Sequence, residues 1–189
     1  MLARLLPLFV SAALLGLAAD IPRPAPDFPI PLPDGQTIKT ANYKGKVLIV
    51  EFLVTTCPGC QNGARILTRL RNEFGPKGFE VLGIATNPGA DKGIGNFVQK
   101  TGATFPIGYR TLDAAKTYLQ IPVMVNMMVP QFVFIDRAGT IRSQHGGDDQ
   151  FFFLEEERNI RKELTALLAE GKAPITAAPA AGKAPSKKK

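Results

Sequence analysis

The chain has 189 residues, with 23 Lys and Arg set against 16 Asp and Glu and a net charge of +7. That length allows one compact domain. Arg4 and the tail lysines 172, 183, 187, 188 and 189 supply six of the seven net charges. Residues 20–170 are therefore close to neutral, which gives no support for nucleic-acid binding.

Residues 1–19 (MLARLLPLFVSAALLGLAA) read as a secretory signal. Arg4 is the positive start, 5–17 the apolar run, and Ala18 or Ala19 the small-residue cleavage point. The run is short for a membrane span of about 20 residues. Cleavage is the expectation, and an uncleaved anchor with membrane association through this segment is the alternative. Residues 20–40 are proline-rich and extended, with Asp34-Gly35 as a hairpin-type turn.

Residues 47–54 (VLIVEFLV) are almost continuously apolar, as in a central strand covered on both faces. Glu51 interrupts the run. A charged, unpaired carboxylate there would cost on the order of several kcal/mol, so it needs a reason. A helix is predicted over 58–74, with Ala64, Ile66, Leu67, Leu70 and Phe74 on its inner face and Gly75-Pro76 beyond its end. A second apolar strand covers 79–86. A helix over 91–101 is weakened by Gly93 and Gly95. A short segment at 105–109 and a helix over 111–119 follow. Residues 131–136 read as a strand, 137–139 as a turn and 140–144 as the returning strand.

One long amphipathic helix is predicted over 151–170, with Leu154, Ile160, Leu164, Leu167 and Leu168 facing inward. The tail, 171–189, is rich in Ala, Pro and Lys and too poor in apolar residues to order itself. The order predicts an α/β fold in three parts: signal 1–19, domain 20–170 and disordered tail 171–189. Crossovers make the early strands parallel, and the late hairpin adds antiparallel ones.

Cys57 and Cys60 are the only cysteines. Three residues is just under one helical turn, so the two sulfurs can close a short disulfide ring. Such a ring is too small to be a useful staple, which points to chemistry. Cys57 precedes the helix, where unsatisfied N–H groups and the helix dipole stabilise a thiolate. Pro58 suits the first helical position, since its missing N–H is one the helix leaves unpaired. The rivals are an inert disulfide and a metal site. A metal would want further ligands, and the chain has one histidine.

In order, Ala25-Pro26-Asp27-Phe28, Asp34-Gly35, Lys44-Gly45-Lys46-Val47, the C-x-x-C and Pro130 before FVFIDRAGTI resemble exported thioredoxin-fold proteins of the TlpA/ResA type. The likeness runs from about residue 25 to 147. It implies a thioredoxin fold, a central mixed sheet flanked by helices, with an N-terminal extension. It also implies a periplasmic or otherwise extracytoplasmic thiol–disulfide oxidoreductase, with no cofactor and no metal. Cys57 would attack a partner disulfide and Cys60 resolve the mixed disulfide. The partners implied are disulfide-containing envelope proteins as substrates, in cytochrome c maturation or disulfide repair, and a membrane thiol donor as reductant.

Glu51 holds the place of thioredoxin's buried acid and would exchange a proton with Cys60. The bland alternative is a carboxylate reaching solvent or pairing with a lysine. Pro130 matches the family's cis-proline, which leaves the Val129 backbone free to pair with an extended substrate. An ordinary trans proline is the alternative. Thr56, Pro58 and Gly59 complete the substrate-facing rim.

Three departures stand out. Thr56 replaces the usual aromatic, the dipeptide is Pro-Gly, and the run from Tyr118 to Pro130 is about six residues longer than the family pattern suggests. Met124, Met127 and Met128 in that run are read as core or loop packing, and His145 as a surface or packing residue. A non-enzymatic copper carrier using Cys57, Cys60 and Met124 or His145 is one rival function. The other is a peroxiredoxin-like peroxidase, disfavoured because Val50 and Val54 stand where that family has Pro and Thr.

Overall fold

The computed structural model describes residues 19–170. The tail and all but the last residue of the expected signal lie outside the described residues. The elements are β1 (Arg23–Pro24), β2 (Pro29–Pro31), β3 (Thr37–Lys39), β4 (Val47–Leu53), α1 (Pro58–Phe74), β5 (Phe79–Ala85), α2 (Ala90–Thr101), β6 (Ile107–Tyr109), α3 (Leu112–Leu119), β7 (Gln131–Ile135), β8 (Thr140–His145), α4 (Gln150–Leu154) and α5 (Glu156–Ala169).

Every residue of β4 is buried. It lies inside a six-stranded sheet of order β1-β8-β7-β4-β5-β6. It runs parallel to β5, its sequel through α1, and antiparallel to β7. A strand's period of two divides its side chains between two cores. Val47, Ile49 and Leu53 face α1, α2 and α5. Leu48, Val50 and Phe52 face α3 and the N-terminal segment, with Phe28 and Ile30. The same alternation puts Glu51 on the α1/α5 side, with no exposed surface. This is the mixed sheet flanked by helices that the resemblance implies.

The expected helix at 58–74 forms with those bounds, and β2 and β3 make the hairpin signalled by Asp34-Gly35. Gly93, which weakens α2 on paper, sits where a Cβ would come 2.8 Å from Thr55 Oγ1, so its small size lets α2 approach the loop before Cys57.

Two features differ from expectation. The proline-rich start is not merely extended: β1 pairs with β8, and buried Arg23 donates through Nη2 to the Tyr118 carbonyl at 2.8 Å. The long helix over 151–170 is two helices. Glu155, at φ −127° and ψ 50°, leaves helical geometry, and Asp149 caps α4 by accepting from Phe152 N–H at 3.1 Å. The break turns Leu154 outward, 83% exposed, although it was expected on the inner face, while Ile160, Leu164 and Leu167 are buried as expected.

Candidate active site

Cys57 is the residue on which α1 begins. Its backbone is extended, Pro58 follows at the first helical position, and its Sγ accepts a hydrogen bond from the Cys60 N–H at 3.3 Å. One orphan donor of the helix start is thus satisfied by sulfur. The loop before it is fixed by Cys57 N–H on the Val54 carbonyl at 3.0 Å and by Thr55 N–H on Asn87 Oδ1 at 2.9 Å. Cys57 is half-buried, Cys60 is fully buried, and both are free thiols. Burial pushes the Cys60 thiol above the ordinary cysteine range, outweighing a hydrogen bond to the Val54 backbone that acts the other way. The two sulfurs therefore differ in access.

Val129-Pro130 is a cis peptide bond. A Cβ at Gly59 would lie 3.5 Å from Pro130 Cδ and 3.8 Å from Cys57 Sγ, so the proline ring and the outer sulfur flank the same spot. Thr56, Pro58 and Gly59 are exposed around it. Val129 is half-buried, and among the described residues its backbone N–H and C=O have no hydrogen-bond partner. It borders a groove of about 580 Å³ shared with Val54, Asn87, Tyr109 and Met127.

Glu51 lies under this surface. Both carboxyl oxygens are buried without a hydrogen-bond partner among the described residues, so the expected alternatives, solvent or a lysine, are not what the structure holds. Burial raises its pKa well above the ordinary carboxylate value, and the Glu156 carboxylate and the Cys57 sulfur add to the rise.

Elsewhere the candidate residues separate. His145 is tied to Asp149 Oδ2 at 2.9 Å and Glu163 Oε1 at 2.8 Å and stacks on Phe152 at 3.9 Å, which makes it a packing residue. Of the methionines among the described residues, only Met127 packs against the core. Met124, 94% exposed, and Met128 stand in solvent, contrary to the packing expected of them.

Sequence reasoning missed three contributors. Gln131 donates to the Met128 carbonyl at 2.6 Å and Gly147 N–H to the same oxygen at 3.2 Å, which pins the loop ahead of Pro130. Glu156 reaches toward Glu51 from α5. Only the Gly146-Gly147 pair was a visible signal, and nothing in the sequence located its contact.

Comparison with known proteins agrees with this geometry. Residues 21–144 match the AhpC/TSA family. The thiol-disulfide oxidoreductase ResA of Bacillus thuringiensis is 26% identical over 138 residues, covering 72% of this chain and 76% of that one. The hydroperoxy fatty acid reductase gpx1 of Synechocystis is 28% identical, covering 60% of this chain and 80% of that one. Among solved structures, a secreted Mycobacterium tuberculosis disulfide oxidoreductase homologous to E. coli DsbE superposes with a TM-score of 0.60 at 20% identity, over 75% of this chain and 96% of that one. That likeness shows the fold.

Proposed function

The chain belongs to the AhpC/TSA family, and on that premise we propose that it is a thiol–disulfide oxidoreductase working outside the cytoplasm, where it reduces the disulfides of partner proteins. The observation that carries this reading is the asymmetric pair on α1: an accessible sulfur held by the Cys60 N–H and a buried one a turn on.

The Cys57 thiolate attacks a partner disulfide, forming a mixed disulfide and releasing one partner thiolate. The cis-proline loop offers the unpaired Val129 backbone to an extended partner segment, and the exposed rim of Thr56, Pro58 and Gly59 leaves room for it. Cys60 then gives its proton to Glu51 and attacks Cys57. The partner leaves as a second thiolate, and two electrons have passed from the dithiol. A membrane thiol donor reverses the change. Residues 1–19 support export, and the secreted relative is consistent with it. Among the described residues no helix is long and apolar enough to cross a membrane.

The Synechocystis relative favours a second reading, in which Cys57 reduces a hydroperoxide. Val50 and Val54 occupy the places of the Pro and Thr that a peroxiredoxin-like site expects. Purified protein recycled by dithiothreitol should reduce insulin disulfides with turnover and consume cumene hydroperoxide at least about tenfold more slowly. Faster turnover on the hydroperoxide would overturn the assignment.

A further inference from the structure

The carboxyl of Glu51 is sealed from water, yet resolution of each mixed disulfide would leave a proton on it. The chain supplies a second carboxyl beside it. A Cβ at Gly63, on α1, would lie 3.1 Å from Glu51 Oε1, 3.2 Å from Glu156 Oε1 and 2.8 Å from Phe132 Cζ. The missing side chain of Gly63 thus leaves a notch bordered by one oxygen of each carboxyl and, from the β7 side, by Phe132.

Glu156 has one oxygen on each side of a boundary. Its Oε1 is buried without a hydrogen-bond partner, and its Oε2 accepts from exposed Asn62 Nδ2 at 2.8 Å. The break at Glu155 makes Glu156 the first residue of α5. Three buried carboxyl oxygens with no partner among the described residues are an expensive arrangement for stability alone, since a neutral side chain would avoid the desolvation cost.

We propose that Glu156 is the outlet through which the proton taken up by Glu51 passes between the buried dithiol and solvent. The inference rests on the proposed role of Glu51 as the base for Cys60. In the resolving step the Cys60 S–H bond breaks, and its proton goes to the Glu51 carboxylate. The sulfur's electron pair forms the Cys57–Cys60 bond, and the partner sulfur leaves with the pair from the broken mixed disulfide. Glu51 passes the proton to the Glu156 carboxylate, directly or through one water molecule, and Glu156 releases it beside Asn62. On re-reduction the same route runs inward.

The surrounding charges fit a two-carboxyl relay. Glu51 faces Gly63, Cys57 and Cys60 on the α1 side, Phe132 on β7 and Glu156 on α5, and among the described residues no cation pairs with it. Glu156 faces Asn62 on α1 and its neighbour Glu157, whose own charge is taken up by Arg69 at 2.6 Å and Arg161 at 3.7 Å. Two carboxyls this close disfavour double ionisation, so their titrations belong to the pair. Burial raises the pKa of Glu156 too, against the opposing hydrogen bond from Asn62.

The test uses the full-length reduced protein and an aromatic disulfide whose thiolate absorbs visible light. The first burst reports Cys57 attack. The second, unimolecular burst reports Cys60 resolving the mixed disulfide. Glu156→Gln keeps the shape and the acceptor for Asn62 but carries no charge. It should shift the pH midpoint of the second burst down by on the order of one unit and leave the first burst unchanged. Glu156→Ala should slow the second burst about tenfold or more, and added formate should restore it in proportion to its concentration.

A Glu156→Gln profile that overlays the wild type, or a slow Glu156→Ala that ignores formate, overturns the outlet. If Glu156→Ala does not fold, the Glu156→Gln profile decides alone. Glu51→Gln separates the two claims. If it leaves the second burst and its pH profile intact, the role of Glu51 fails. If it slows that burst while Glu156→Gln changes nothing, only the outlet fails.

Discussion

Replacing Glu51 with Gln should change how stability depends on pH, and the sign follows from burial. The carboxyl has no exposed surface and no hydrogen-bond partner among the described residues, and its folded pKa stands well above the ordinary carboxylate value of 4.5. Above pH 4.5 the unfolded chain releases this proton while the folded chain holds it. The folded state then binds more protons, so stability falls as pH rises from 4.5 through the folded midpoint. The loss amounts to about 1.4 kcal/mol for every pH unit by which the folded midpoint exceeds the unfolded one. Gln has no proton to hold, so the variant escapes this loss. Urea unfolding of the reduced proteins between about pH 5 and 8 would measure it. The stability of Glu51→Gln relative to wild type should rise steadily across that range. His145 titrates in both proteins and cancels in the difference. Parallel curves would mean that Glu51 ionises as an ordinary surface carboxylate, and the burial argument would be wrong.

Other consequences can be checked as directly. A Cβ at Gly147 would meet the Val129 carbonyl oxygen at 2.7 Å and its carbon at 2.9 Å, both rigid backbone. Gly147→Ala should therefore cost about 1–3 kcal/mol in urea unfolding and displace the loop before Pro130, lowering insulin reduction. Unchanged stability would show that the loop yields freely. For His145, burial lowers the pKa but the Glu163 and Asp149 hydrogen bonds outweigh it and leave it raised above 6.5. Its stabilising contribution should be complete below pH 6.5 and vanish as pH rises through the folded midpoint. His145→Ala should cost roughly 2 kcal/mol at acidic pH and progressively less above it, and a pH-independent cost would contradict the pairing. Brief alkylation of the reduced protein at neutral pH should label Cys57 and spare Cys60, which is buried and hard to ionise. Equal labelling would refute the asymmetry.

What could be read in the sequence was local. The apolar run of β4, the Cys57-Pro58 start and the Gly75-Pro76 end of α1 each carry their signal within a few residues. The cis bond at Pro130 followed from the resemblance alone. What escaped depends on contacts between distant segments. No Gly or Pro marks the break at Glu155, so the helical period runs through it and places Leu154 inside. Strand β1 is two residues long and owes its place to β8 and to Arg23 reaching across 95 residues to Tyr118. Glu51 was conspicuous as a charge in an apolar strand. Its neighbour Glu156 looked like any surface acid on an amphipathic helix, because only the fold brings it to the notch at Gly63.

The measurement that bears most directly on the account is a trap. Full-length Cys60→Ser and Cys57→Ser proteins would each be incubated, reduced, with a disulfide-bonded protein substrate, quenched with acid and analysed by mass spectrometry. The account predicts a mixed disulfide through Cys57 in the first variant and none through Cys60 in the second, while the wild type ends with a Cys57–Cys60 bond and a reduced substrate. Equal trapping by both variants, or a wild-type dithiol left intact beside an unreduced substrate, would contradict it.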